Sequence, residues 1–135
     1  MRVLVCGDRK WDDEVAIKKE LEALPPDSVI IQGFALGADR IAYLVASQLH
    51  LECISYPAQW KKYGRAAGQI RNMQMLLEGK PDVIFAFHHN ILASKGTRNM
   101  VEQGLRTGVP VFLFSLDGKG ELKGSHGHFS FYPCS

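Results

Sequence analysis

Residues 28–40 read Ser-Val-Ile-Ile-Gln-Gly-Phe-Ala-Leu-Gly-Ala-Asp-Arg. A short apolar run, closed by glycines and followed by a helix-forming stretch, marks a buried strand that turns at once into a helix. Ser28 to Gln32 supplies the strand and Gly33-Phe34-Ala35-Leu36-Gly37 the turn. Ile41, Leu44, Val45 and Leu49 then share the stripe expected to face the core.

The same unit recurs on both sides. Val3 to Cys6, closed by Gly7, reads as a first strand. Asp12 and Asp13 offer an N-cap and first-turn charge to a helix reaching about Leu24, with Ile17, Leu21 and Leu24 on one face and Pro25-Pro26 as its stop. Leu51 to Tyr56 is a third strand, ended by Pro57, and a polar loop runs through Gly64. The next helix spans about Ala67 to Glu78. Its Ile70, Met73 and Leu77 are expected to face the core, which turns Arg71 and Met75 onto an adjacent face. Gly79-Lys80-Pro81-Asp82 is a turn, and Val83 to Phe87 is a fourth strand. A helix over about Gly96 to Arg106, capped by Gly108, leads to a fifth strand from Val109 to Phe114.

Strands alternating with helices give right-handed βαβ units. The expected fold is therefore α/β: a three-layer, Rossmann-like parallel sheet of about five strands, with helices on both faces. The strand segments are continuously apolar, as burial on both sides requires. Residues 1–115 are expected to form the nucleotide-binding domain. Residues 116–135, rich in Gly, Ser and His, form a C-terminal extension that either adds an edge strand through His128 to Tyr132 or stays loosely ordered.

Composition narrows the function. In 135 residues, 46% are apolar and 22% charged, the proportions of one globular domain. A formal charge of +2 gives no basis for general nucleic-acid or membrane binding. Cys6, Cys53 and Cys134 are an odd number without CxxC spacing, and the opening Met-Arg-Val-Leu-Val-Cys-Gly is too short for a secretory leader. A reducing, cytoplasmic location is the expectation.

In an open α/β sheet the ligand lies beyond the carboxyl ends of the strands, so each strand-to-helix loop is a candidate. In the first, Gly7 permits close backbone approach, Arg9 offers a forked donor and Trp11 an aromatic face for a base, unless Trp11 is a lid on the core. In the second, Gly33 and Gly37 flank a helix start suited to an anion, and Asp39 suits a ribose hydroxyl or base amine, unless it serves the helix dipole. In the third, Arg65, Arg71 and Asn72 accompany Gly64 and Gly68 at a helix start. In the fourth, Gly96 and Thr97 open a helix where Thr97 caps the end or holds a phosphate, with Glu102 further along. His88, His89, His126 and His128 lack a matched ligand spacing, so no metal is expected. There is no GxSxG elbow or Ser-His-Asp set.

Taken together, the stretches CGDRKW, GFALGADR, YGRAAGQIRNMQM and KGTRNMVEQG resemble the YspA-related branch of the SLOG superfamily, over about residues 1–114. That superfamily includes the Lonely Guy phosphoribohydrolases and the DNA-processing protein DprA. The resemblance implies a Rossmann-like sheet that binds nucleotides or nucleotide-derived ligands, in some members with cleavage of an N-glycosidic bond. It implies a nucleotide loop at Gly33, Gly37 and Asp39, an Arg-Asn pair at Arg71 and Asn72, and the end of a GGxGT phosphate motif at Gly96 and Thr97. His88-His89-Asn90 stands where Pro-Gly-Gly is usual, and Asn99 and Met100 stand where the phosphoribohydrolases carry a glutamate.

Two functions follow. One is an enzyme that hydrolyses the N-glycosidic bond of a nucleoside 5′-monophosphate, with Asp39, Arg71 and Glu102 as its catalytic set and no cofactor. The other is a non-catalytic sensor or sequestering protein for a nucleotide signal. Assembly as a homo-oligomer, a dimer through the exposed apolar faces of helices 67–78 and 96–106, is expected with either.

Overall fold

Every apolar run identified above forms a strand in a computed structural model that describes residues 1–125 and 128–134. These are β1 (Arg2–Gly7), β2 (Val29–Gln32), β3 (Glu52–Ser55), β4 (Val83–Phe87) and β5 (Val111–Ser115). Between them lie α1 (Glu14–Glu22), α2 (Ala38–Gln48), the short α3 (Trp60–Tyr63), α4 (Ala67–Gly79) and α5 (Gly96–Arg106). Two further strands, β6 (Gly118–Ser125) and β7 (His128–Pro133), complete one sheet in the order β3-β2-β1-β4-β5-β6-β7.

The first five strands are parallel, while β6 and β7 return antiparallel on the β5 side. The sheet thus has seven strands rather than about five. The residues of β6, Gly-Lys-Gly-Glu-Leu-Lys-Gly-Ser, carry no apolar run. Pairing with β5 makes them a strand, and only alternate positions such as Gly120 and Leu122 are buried. The edge strand through His128 to Tyr132 is present as β7.

Alternation along β1 explains the layers. Val3 and Val5 point into one core with Ile17 and Leu21 of α1 and Ala42 and Val45 of α2. Leu4 and Cys6 point into the other with Met75 and Leu76 of α4 and Met100 and Val101 of α5. Asp13 caps α1, its Oδ1 accepting the Ala16 amide at 3.1 Å. Two expected stripes are corrected. On α4 the buried residues are Ala67, Asn72, Met75, Leu76 and Gly79, whereas Ile70, Met73 and Leu77 are exposed. Gly79 lies against Ile31, so the last turn of the helix meets the sheet through its smallest residue and Met75 and Leu76 follow it inward. On α2, Leu44 is exposed and Ala42 and Ala46 take the core, because α2 packs closely through small side chains.

The sheet order reverses between β1 and β4: β2 and β3 lie on one side, β5 on the other. This is the switch point, where the loops after β1 and β4 diverge and leave a crevice. Gly7 ends β1 at that place, and a Cβ there would lie 2.7 Å from that of Ala38 and closer still to the Phe87 carbonyl oxygen. Gly7→Ala is therefore expected to cost about 1–3 kcal/mol through overpacking. Gly96→Ala, whose Cβ would meet nothing within 4 Å, should melt with the wild type. Thermal unfolding of both variants checks this, and a Gly7→Ala protein as stable as the wild type would mean that the junction is slack.

Candidate functional site

A cleft of about 930 Å³ lies across the carboxyl ends of β3, β2, β1 and β4. Six cationic side chains line it (Arg9, Lys10, Arg40, Arg65, Arg71 and Lys95) against two carboxylates, Asp8 and Asp39. The whole chain carries only +2, so the rest of the molecule is net negative and the positive field is concentrated in the cleft.

Arg71 sits at the centre, half-buried on the first turns of α4. Its Nη1 donates to the Gly33 carbonyl at 2.7 Å and its Nε to Asn72 Oδ1 at 2.9 Å. Those bonds use two of five guanidinium donors and leave a fork for a ligand. Gly33 makes the arrangement possible, because a Cβ there would collide with the guanidinium. Asn72 is buried and donates to the Gly96 carbonyl at 3.3 Å and to Asn99 Oδ1 at 3.1 Å, which ties α4 to the start of α5. Burial pulls the Arg71 guanidinium below its ordinary value, against the opposing charge of Asp39.

Asp39 is buried in the first turn of α2, and its Oδ2 accepts the amides of Gly33 at 3.1 Å and Ala35 at 3.3 Å. The carboxylate thus folds the β2 loop back onto its own helix. Burial raises its pKa to about 6, although the Ala35 and Gly33 amides and the Arg71 and Arg9 charges favour the ionised form. Cys6 lies under the same floor, and desolvation pushes its thiol far up, so it is an inert group there.

Of the residues singled out from sequence, Gly7, Arg9, Gly33, Asp39, Arg65, Gly68, Arg71, Asn72, Gly96 and Thr97 line this one cleft. Thr97 has both donors engaged: its hydroxyl donates to the Gly7 carbonyl at 3.0 Å and its amide to Ser94 Oγ at 3.1 Å. Gly37 is not a lining residue. It adopts φ +76°, and a Cβ there would strike the Asp8 carbonyl, so it lets the β1 loop close over α2.

Two readings are corrected. Trp11 is 7% exposed, its indole nitrogen donating to the Asp13 carbonyl at 2.9 Å and its ring packed edge-on against Phe87 and tilted on His89. It is a lid on the core and presents no face to the cleft. Glu102 lines a separate, smaller hollow with Ile70 and Arg106, and pairs with Arg98 at 2.9 Å. The i,i+4 pairing puts it on the same face of α5 as Arg98, and neither residue lines the cleft.

Sequence reasoning missed Trp60, which lay in an apparently polar loop, and the pair formed by Asp8 and His88. His88 Nδ1 accepts the Asn90 amide at 2.9 Å, which leaves Nε2 to carry the proton, 3.8 Å from Asp8 Oδ2. Burial lowers the His88 pKa, with Asp8 pulling the other way. Among the described residues no group of three His, Cys, Asp or Glu side chains could hold a metal ion; His126 lies outside them.

Residues 1–63 match the model of the YspA, cpYpsA-related SLOG family. The Gene 61 protein of Mycobacterium phage D29 is 34% identical over 122 residues, which cover 84% of this chain and 95% of that protein. The chain belongs to the YspA, cpYpsA-related SLOG family. The X-ray structure of DNA processing protein A (DprA) from Streptococcus pneumoniae superposes with a TM-score of 0.67 at 19% identity, a likeness of fold. It covers 84% of this chain, which spans 50% of that one. The family match takes in the β1 and β2 loops with Gly7, Gly33, Gly37 and Asp39; the Arg71 and Gly96 regions lie beyond it. Among the described residues no helix is long and apolar enough to cross a membrane.

The Asp39 carboxyl keeps its proton to about pH 6 in the folded chain, whereas an unfolded aspartate releases it near pH ~4. Across that window the folded state binds more protons, so stability falls as pH rises from about 4 to about 6. Denaturant titrations at both ends of the window should show that loss. Asp39→Asn should remove it, and an unchanged slope in the variant would assign the titration to another group.

Proposed function

We propose that this cleft binds a nucleotide or nucleotide-derived ligand through its phosphate. The observation that carries the reading is the concentration of six cations around the half-buried Arg71 fork, in a chain that is otherwise net negative. A fork with free N–H groups matches the oxygens of a phosphate in two-point contact. The start of α5, at Lys95 and Gly96, adds a cation and backbone amides at the positive end of a helix dipole. Membership of a SLOG family points to the same class of ligand. Asp39, beside Arg71, suits the hydroxyls of a ribose whose phosphate that arginine holds.

A second reading, hydrolysis of the N-glycosidic bond of a nucleoside 5′-monophosphate, is favoured by one observation: a buried cleft carboxyl raised to about 6. A group that titrates near the working pH can take a proton from attacking water, and its anion can stabilise an oxocarbenium-like ribosyl centre. Asp39 is the residue for that role, since Glu102 faces elsewhere. Without turnover, the same cleft serves a sensor or a sequestering protein.

The test is a thermal-shift screen against nucleoside mono-, di- and triphosphates, with chromatography of each mixture for free base. At least one nucleotide should raise the melting temperature. Arg71→Ala should weaken its binding by ~10-fold or more, the loss of a charge-assisted pair. Gly33→Ala should fold normally yet lose affinity in parallel, because its methyl displaces the guanidinium. Released base that disappears in Asp39→Asn would establish the hydrolase. Binding without release leaves the sensor reading, and the absence of any nucleotide-induced shift would overturn the proposal.

A further inference from the structure

Among the exposed aromatic residues, Phe34 and Trp60 line the cleft. Phe34 follows β2, Tyr43 lies on α2, and Trp60 and Tyr63 belong to α3. Phe34 is already partnered: the Arg40 guanidinium lies over its ring at 5.0 Å, and Tyr43 meets it edge-on at 5.6 Å. Trp60 differs. It lines the cleft, it is 56% exposed, and among the described residues no aromatic ring or cation stacks on it.

Lone apolar side chains on a convex surface need no explanation. An indole in a concave, cationic cleft is another matter, because it keeps one of the largest apolar faces in the molecule available to whatever enters. Beside it, on the first turn of α4, Gly68 has no side chain, and a Cβ there would stand 3.6 Å from Trp60 Cη2, ordinary contact distance that leaves the indole edge uncrowded. Trp60 and the start of α5 stand on the loops after β3 and β4, at opposite ends of the four strands under the cleft. The strands that carry them, β3 and β4, are three strand spacings apart, about 14 Å. A phosphate held by Arg71 and α5 would leave the indole empty, whereas the base of a whole nucleotide extends toward it.

We infer that Trp60 is the base-stacking platform of this cleft, and that the ligand is a nucleotide retaining its planar base. The inference rests on the nucleotide reading above and adds the residue that selects for the base. Stacking is tolerant of base identity, since every base has a π-face. The platform therefore separates nucleotides from base-free sugar phosphates, not one base from another.

The probes are adenosine 5′-monophosphate and ribose 5-phosphate, titrated against the wild type and Trp60→Ala. The wild type should bind the nucleotide more tightly than the sugar phosphate, by on the order of tenfold or more. Trp60→Ala should bring the two affinities together without moving that of ribose 5-phosphate, and Trp60→Phe should restore part of the gap. The chain has two tryptophans and Trp11 is buried, so acrylamide quenching reports mainly on Trp60. The bound nucleotide should shield the indole, and the sugar phosphate should not. Equal affinity of the wild type for both probes, or a nucleotide preference that survives in Trp60→Ala, overturns the inference while phosphate binding stands. If the wild type binds neither probe nor any nucleotide in the thermal screen, the nucleotide reading fails and the stacking role falls with it.

Discussion

The junction at Gly7 holds the molecule together where its chemistry is placed. The residue carries no side chain because the Phe87 carbonyl of β4 and the Ala38 methyl of α2 leave no room for one. Its own carbonyl accepts the Thr97 hydroxyl at the start of α5, and the next amide, that of Asp8, donates to Phe87 at 2.9 Å. Two central strands and two helix starts on opposite faces of the sheet thus meet within a few ångströms. The depth of the crevice, the closeness of the β1 loop to α2, and the aim of α5 into the cleft all follow from that approach.

A second tie crosses the cleft above it. Arg71 reaches from α4 to the β2 loop and links through Asn72 and Asn99 to α5, where Gln103 also donates to Asn99 Oδ1 at 2.5 Å. Asp39 secures the other side of the β2 loop by accepting two of its amides. Neither charged group is spent on a direct ion pair with the other, and each is held by neutral partners. Burial therefore acts on both, raising the acid and lowering the base, which keeps them responsive to a charged ligand.

The parallel core was legible because four of its strands are short apolar runs bounded by glycine, proline or a helix cap, a signal carried by local residues alone, while β3, Glu-Cys-Ile-Ser at the sheet edge, is only partly apolar and half-exposed. The loops of the cleft were legible for the same reason: in such a sheet the ends of those runs are the only place for a site. What escaped depends on tertiary pairing. Strand β6 is Gly- and Lys-rich and takes its form from β5, and the outward turn of Ile70, Met73 and Leu77 follows from how α4 docks, not from its own period. The two tryptophans show the limit most clearly. Trp11 follows a loop glycine closely, as a ligand residue would, yet it is core; Trp60 sits among lysines, as a surface residue would, yet it lines the cleft. Sequence neighbours do not reveal on which side of a loop a ring comes to rest.

The cleft is assembled from four separate strand-to-helix segments, each contributing its own kind of group: two cations and a carboxylate after β1, a folded loop after β2, an indole and two guanidinium groups after β3, a helix end after β4. None of these groups is needed to close the sheet, whose two cores are filled by other residues. Such a division makes the architecture modular in evolution. A descendant could lengthen the β3 segment or recast the β4 segment and thereby exchange one ligand for another, provided the side-chain-free end of β1 stayed as it is. Diversification of recognition and retention of the scaffold then place their demands on different residues.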